Sequence, residues 1–445
     1  MRLIFDEYIK LIEDGNYIRL KNELNEENAA NLAEFFEELS DENQLFVFRL
    51  LTKDNAADVF SYMDSDTQEH IVKSISDNEV RNIVDELFMD DTVDFLSEAP
   101  ANLVTKVLRN TDEGKRELIN KFLNYPENSA GSIMTIEFVQ FHKNMTAIRA
   151  MEQLKKTGVD KETIYSCYVV DESRKLVGVL PLRKLILSDD DVIVKDIMND
   201  DIIFVETLDD QEYISQLFKK YNLIAMPVVD KENRLVGIIT VDDIVDVIEQ
   251  ENTEDIEKMS GLLPSDDEYL KTSVFVLAKN RIPWLLILMI SGTISGFIMG
   301  LYDDILSRVI VLSTFVPLLM GTGGNAGSQA STLIIRGMAL GEIEMKDILK
   351  VIWKEFKVGM ISGLVLSSVN FIRLTIMQPQ QFFVNITVSL SMLLVVVVAK
   401  SIGCTLPIIA KKCGFDPAIM AGPLITTIVD SVALLIFFNI AGSLL

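Results

Sequence analysis

Apolar and polar positions follow three different rhythms along this chain, and each predicts a different architecture. Over residues 1 to 128, apolar side chains recur every three or four positions. Asp, Ser and Asn punctuate them, and glycine and β-branched runs are almost absent, as expected for short amphipathic helices with capped starts. The stretches "LAEFFEELSDEN", "AADVFSYMDSDT", "IVDELFMDDT" and "VDFLSEAPAN" repeat one unit at irregular spacing, which predicts an α-superhelical array. From residue 130 to 250, β-rich runs alternate with helical ones. Beyond that, five apolar stretches reach or approach the roughly 20 residues that cross a bilayer core. They run from about Pro283 to Leu301, Ile305 to Leu319 and on into a glycine-rich segment, Val358 to Met377, Phe383 to Ala410, and Pro417 to Ala441.

Charge separates the same regions. From Arg281 to the end there are eleven basic and eight acidic residues, which leaves thirty basic and fifty-eight acidic residues before it. So acidic a surface disfavours nucleic acid and attracts cations. Within the apolar part, Lys279, Arg281, Arg336, Lys346, Lys350, Lys354, Lys357, Lys411 and Lys412 fall on one side, against Arg308 and Arg373 on the other. The positive-inside rule then places the acidic half in the cytoplasm of a multi-pass plasma-membrane protein and its C-terminus outside. The segment Arg336 to Phe356 alternates charged and apolar residues and is read as an interfacial amphipathic helix before the third span. The start of the chain shows no signal-peptide pattern, and Cys167, Cys404 and Cys413 form no metal-ligand spacing, which suits a reducing cytoplasm.

The middle region carries a duplication: "CYVVDESRKLVGVLPLRKLI" aligns with "MPVVDKENRLVGIITVDDIV", and "SIMTIEFVQF" with "DIMNDDIIFV". This strand, turn, strand, helix pair resembles tandem cystathionine-β-synthase (CBS) domains, small α/β modules that often bind adenine nucleotides. The second copy ends in Gly237, Thr240 and Asp243, a hydroxyl and a carboxylate suited to ribose and phosphate. The first copy, "GVLPLRK", lacks both. One nucleotide site at most is expected, with ATP as its ligand; a purely structural pair is the alternative.

In the apolar half, Asp430 lies about twelve residues into the last stretch, near the bilayer midplane. A carboxylate there costs several kcal/mol unless it meets water or a partner. Thr426 and Thr427 share its helical face. Pro317 and the four glycines of the segment "GTGGNAGSQAS" that begins at Gly321, Gly324 among them, would loosen the helix. Asn325, Ser328 and Gln329 would then line a hydrophilic cavity. Close packing of small residues is the alternative reading. Magnesium prefers oxygen ligands and gives up water reluctantly, which suits a wide path with one carboxylate. The two histidines, His70 and His142, lie outside this half, which argues against zinc chemistry and a metalloprotease helix. The absence of a phosphate-binding loop or a catalytic triad in the sequence argues against an enzyme.

Taken together, "GTGGNAGSQASTLIIRGMALGEI", "DPAIMAGPLITTIVD", the CBS pair and "ENTEDIEKM" resemble the MgtE magnesium channel/transporter family along essentially the whole chain. The resemblance implies a multidomain fold: an α-superhelical N domain (1–128), two CBS domains (129–190 and 191–249), an acidic connecting plug helix (250–280) and an all-α five-helix transmembrane domain (281–445). It also implies a homodimer whose pore lies between subunits. The acid matching Asp430 would select hydrated Mg2+, the Asn325 segment would line the pore, and cytoplasmic Mg2+ would hold the gate shut.

The acids matched to the sensor are Asp90 and Asp94, Asp210 and Glu212, and Glu251, Glu254 and Asp255 on the plug helix, which would run towards Lys279. The run "VDDIVDVIEQENTEDIEKM" supports that gate independently. It strings Asp243, Asp246, Glu251, Glu254 and Asp255 along one helix, a like-charge density that a divalent cation would relieve. Asn222 stands where the family often has an acid, which implies a weaker sensor site. The alternatives are a CBS-regulated secondary transporter of another solute, with Asp430 as a proton or sodium site, and a magnesium sensor that does not conduct.

Overall fold

The structure is a computed structural model that describes residues 2–265, 269–270 and 272–445. The chain divides into two compact units, Met1–Ile248 and Glu249–Leu445.

The first unit opens with ten short α-helices among the described residues, from Arg2–Glu13 to Glu113–Phe122. The polar punctuation acts as expected at several starts. Asn28 accepts from Ala30 N, Asp64 from Thr67 N, and Ser76 forms a reciprocal capping box with Glu79. The repeat shows in side chains too: Gln44 Nε2 donates to Phe36 O and Gln68 Nε2 to Phe60 O, both at 2.8 Å and both buried. Lys106 Nζ donates to the carbonyls of Val72 and Ile75 at 2.6 and 2.8 Å, satisfying a helix C-terminus one repeat away. The apolar faces close over a core containing Leu20, Phe35, Phe36, Phe60 and Ile71.

The duplicated region folds as two small mixed sheets. β1 (Phe138–His142) runs parallel to β2 (Thr163–Val170), which pairs antiparallel with β3 (Leu176–Pro181). β4 (Val205–Glu206), β5 (Ala225–Val229) and β6 (Leu235–Thr240) repeat the arrangement. The two copies exchange their leading segments. Thr135 bridges to Ile238 and Val179 to Asn199. Met134 lies over Gly237, where an added Cβ would come within 2.7 Å of its sulfur, and Met198 lies over Gly178 in the same way. These two glycines therefore serve close approach between the copies. Asn222, the expected weak point of a sensor, ends the Gln211–Tyr221 helix in the left-handed conformation (φ 51°), which Asn tolerates better than an acid with a longer chain such as Glu.

The second unit holds five helical segments long and apolar enough to cross a membrane: Val274–Leu301, Ile310–Ala339, Met345–Met377, Phe382–Lys412 and Pro417–Leu444. They are referred to below as the first to fifth spans. Three expectations change here. The glycine-rich segment does not leave the helix: Val316–Ala339 is continuous α-helix, with Pro317 in its first turn where no amide bond is lost. Its glycines bring helices together instead. An added Cβ at Gly323 would meet Val395 and Val429 at 2.8 and 2.9 Å, and one at Gly327 would meet Ile425 at 2.8 Å.

The expected interfacial helix is absent as a separate element. The second span ends at Ala339, Gly341 turns at φ 70°, and Ile348–Met377 is one helix with nothing to break it near Phe356. The expected plug helix over 250–280 is likewise different. A helix runs from Val241 to Ser260, Gly261 (φ 74°) stops it, and Ser273 caps a new helix that carries Lys279. Residues 266–268 and 271 of that expectation lie outside the described residues.

Candidate functional site

Asp430 sits in the Gly422–Leu444 helix, half-buried and without a hydrogen bond or ion pair among the described residues. It faces the second span: a Cβ on Gly324 would lie 3.2 Å from Thr426 Cγ2 and 3.9 Å from Asp430 Oδ1. The missing side chain at Gly324 thus makes room for the carboxylate. Thr426 and Thr427 both donate to Pro423 O, at 2.9 and 2.8 Å, so their hydroxyls are satisfied by their own helix. Thr426 contributes its methyl to the contact.

On the second span, Gly321, Asn325 and Gln329 fall on one outward stripe and are exposed, while Ser328 is half-buried beside it. Neither amide has a hydrogen-bond partner among the described residues. Two unsatisfied amides facing hydrocarbon would each cost several kcal/mol. The stripe therefore requires water or a second protein surface.

Lys400, the one cation deep in the spans by sequence, is occupied elsewhere. Its Nζ lies 3.9 Å from Glu355 Oε2 on the third span, both side chains buried. Arg373 donates to Asn370 Oδ1 at 2.8 Å. Among the described residues no cation neutralises Asp430.

Acids gather in two further places. In the first unit, the Met89–Glu98 helix brings Asp90 and Asp91 against Asp243 and Glu162. Burial first, then Asp243 and Asp91, pushes Asp90 well above the usual carboxylate range. Burial and then Asp243 raise Asp91 to about 7, and burial with Asp242 and Asp243 raises Glu162 to about 8. Asp243 is raised to about 6 by burial, partly offset by Thr240 Oγ1, which donates to its Oδ2 at 2.5 Å. Asp94, whose own surface is open to solvent, is still raised to about 6 by surrounding protein and then by Glu98 and Asp246. Asp91 and Glu162 escaped the sequence reading, because only the fold sets a residue after a 3-10 turn beside the helical array. Asp210 does not join this group. It caps its own helix by accepting from Glu212 N at 2.9 Å, beside Ser129.

In the second unit, Glu254 and Asp255 lie near a residue that sequence reasoning also missed, Asp416. Lys258 Nζ bonds Glu254 and Asp416, both at 2.6 Å. Burial would lower the Lys258 ammonium, and these two carboxylates more than restore it. Burial and then Asp416 raise Asp255 to about 6, with Glu251 adding to the repulsion. The helix end packs tightly on the fifth span. Met259 O blocks any side chain on Gly422, and a Cβ on Gly261 would meet Pro423 at 2.6 Å. Among the described residues no three such side chains enclose a bare metal ion in either place.

Profiles of three families match successive parts of the chain. They are the MgtE intracellular N domain over residues 27–128, the CBS domain over 130–189 and 194–250, and the MgtE divalent cation transporter domain over 316–440. The magnesium transporter MgtE of Thermus thermophilus is 36% identical over 438 residues, spanning 98% of this chain and 97% of that protein. The chain belongs to the MgtE family. The Bacillus subtilis magnesium transporter MgtE is 32% identical over 97% of this chain and 95% of its own length. Among solved structures, the cytosolic domain of the Mg2+ channel MgtE in complex with ATP is similar at 36% identity and a TM-score of 0.52. That match covers 55% of this chain and 99% of that one. MgtE proteins are transporters, and the helical N domain, CBS pair and five apolar helices found here are the corresponding parts of this chain.

Proposed function

We propose that this MgtE-family chain conducts Mg2+ inward across the membrane as a homodimer and closes when cytoplasmic Mg2+ is high. The observation that carries the conducting part is Asp430, a carboxylate unpaired among the described residues and set beside Gly324 in a membrane helix, next to a stripe with outward amides at Asn325 and Gln329. A polar stripe on the protomer's outer surface is completed most simply by the same stripe of a second copy, with water between them. A hydrated divalent ion attracted by such carboxylates keeps its first waters, consistent with a path that offers few protein ligands. The membrane potential supplies the drive, about 4.6 kcal/mol per 100 mV for a doubly charged ion.

The test of the class is uptake into proteoliposomes loaded with a magnesium-sensitive dye, beside a parallel set loaded with a pH dye. Mg2+ entry driven by an imposed potential, without a matching proton flux, is the expected result. Proton-coupled flux without Mg2+ entry would instead make the chain a secondary transporter, and no flux at all would make it a sensor.

Closure rests on the two acidic groups. In the first unit the raised carboxyls are held protonated, or bridged by a cation, when the helical array lies against the CBS pair. Because their folded values lie above their unfolded ones, the folded half binds extra protons between about pH 4 and pH 8 and loses stability as pH rises through that window. In the presence of a chelator, the melting midpoint of the soluble half within the full chain should therefore fall from pH 5.5 to pH 8. Added Mg2+ should raise it more at pH 8 than at pH 5.5. A midpoint independent of both would remove the sensor reading.

The group around Asp416 should set how much Mg2+ closes the path. Changing Glu254 and Asp255 together to alanine should leave uptake active at Mg2+ concentrations about 10-fold above those that stop the parent, equivalent to about 1.4 kcal/mol of closing energy. Unchanged inhibition would place the gate elsewhere.

A further inference from the structure

The Ile348–Met377 helix of the third span has two faces of opposite character. Val351, Glu355, Gly359 and Gly363 recur every four residues and are buried. They face the fourth span, where Gly359 and Gly363 let the backbone close on Val397 and Leu393. Glu355 is the one acid in this helix, and it points inward to Lys400. The outward face carries Lys350, Lys354 and Lys357 at helical spacing, all exposed, with Trp353 and Phe356 exposed among them. The Trp353 and Phe356 rings stack 5.6 Å apart with 7° between their planes, and the Lys357 ammonium lies 5.2 Å from the centre of the Trp353 ring. Lys350 pairs with Asp347 at 2.8 Å. Lys354 and Lys357 have no ion pair or hydrogen bond among the described residues.

Beyond Lys357 the same face turns apolar, with Ile361, Leu364 and Val365 exposed. At about 1.5 Å per residue, Val358 to Met377 rises about 30 Å, the thickness of the hydrocarbon, with Arg373 near its far end. Lys350 to Lys357 therefore stand at headgroup level, beside an aromatic pair of the kind that gathers there. The third span packs chiefly on the fourth, which leaves this face to lipid or to another chain. A second copy does not fit it, because two-fold symmetry would set lysines against lysines.

We propose that this face is a binding site for phospholipids whose headgroup carries a net negative charge. The lipid phosphate would sit between the Lys354 and Lys357 ammoniums. Its glycerol would lie against the Trp353–Phe356 pair and an acyl chain along Ile361 and Leu364. A zwitterionic headgroup would bring its own ammonium into a patch that is already positive, so net charge selects the lipid. The site lies apart from the proposed ion path, whose Asp430 and Asn325 are on the fifth and second spans. The experiment reads binding, not flux, so it can fail while the transport reading holds, and the reverse.

The chain has two tryptophans, and Trp284→Phe leaves Trp353 alone as a fluorescent reporter in the full protein. That protein is reconstituted into equimolar vesicles of phosphatidylcholine and phosphatidylglycerol in which one lipid or the other carries brominated, quenching acyl chains. Quenching of Trp353 should show a preference for the phosphatidylglycerol of at least about 5-fold. Lys354→Gln combined with Lys357→Gln should bring the preference to about one, with a melting midpoint equal to the parent's showing that the variant folds. Should the pair fail to fold, Lys354→Gln alone, which removes no contact among the described residues, should lower the preference at least about 2-fold. A millimolar excess of inorganic phosphate should leave the preference unchanged. Its loss to phosphate would overturn the lipid assignment in favour of a free anion. Equal quenching by the two lipids, or a preference that survives in the folded variants, would overturn the selection by charge. No quenching by either lipid would mean that protein covers this face, and would overturn the site itself.

Discussion

Replacing Asp430 with Asn should reduce Mg2+ uptake at least ~10-fold while leaving the fold and the assembly of the parent unchanged. A divalent ion about 5 Å from one carboxylate gains roughly 1.7 kcal/mol at the dielectric of water and about four times that at an effective value of 20. The first figure already corresponds to more than a factor of ten in local ion concentration, and the real site lies between the two. Asn keeps the size and shape of Asp beside Gly324, so packing is preserved and charge alone is removed. Because Asp430 is unpaired among the described residues, its loss strands no cation, and the melting midpoint should stay or rise slightly. Dye-loaded proteoliposomes read the uptake, and size-exclusion chromatography reads the assembly. Uptake at the parental rate would mean that the ion does not pass this carboxylate. Collapse of the fold would mean that the charge has a structural partner.

Gly403→Ala should be among the most damaging single methyls in the spans. An added Cβ at Gly403 would fall within van der Waals distance of the carbonyl oxygen of Gly327, with its carbon and Cα at 2.9 and 3.0 Å. The obstacle is backbone in a continuous helix, so no rotamer change relieves it. The second and fourth spans must separate. Overpacking usually costs ~1–3 kcal/mol, and a rigid obstacle belongs at or above the top of that range. Separation would also shift the second span, which carries Gly324 and Asn325, relative to the fifth. A drop of several degrees in the thermal midpoint in detergent is expected, with uptake falling alongside. An unchanged midpoint would contradict the close approach of these two helices.

Some of this was legible in the chain and some was not, for reasons that differ by residue. Helical periodicity and capping residues fixed the array, because Asp64 and Ser76 act within their own helices through contacts three residues away. The five spans were legible from length and hydropathy alone, since hydrocarbon imposes a demand that local composition must meet. Asp430 stood out because an acid in such a stretch conflicts with its solvent. The interfacial helix was misread, since alternating charge and apolarity also describes the polar end of a long span. The role of the glycines was misread for a related reason. Glycine permits both an unwound chain and a close helix contact, and the sequence does not show whether Val395, Val429 and Ile425 stand opposite.

By itself, then, the sequence determined what each segment is: amphipathic helix, paired α/β repeat, membrane-length helix, and an acid out of place within one. Those properties depend on residues within a turn or two of each other. Only the tertiary structure decided which groups meet. It paired Lys400 with Glu355 and left Asp430 without a partner among the described residues, set Asp91 and Glu162 against Asp243, and joined Lys258 to Asp416. Electrostatic interaction falls off over a few ångströms, and residues more than a hundred positions apart come within that distance only when the chain has folded.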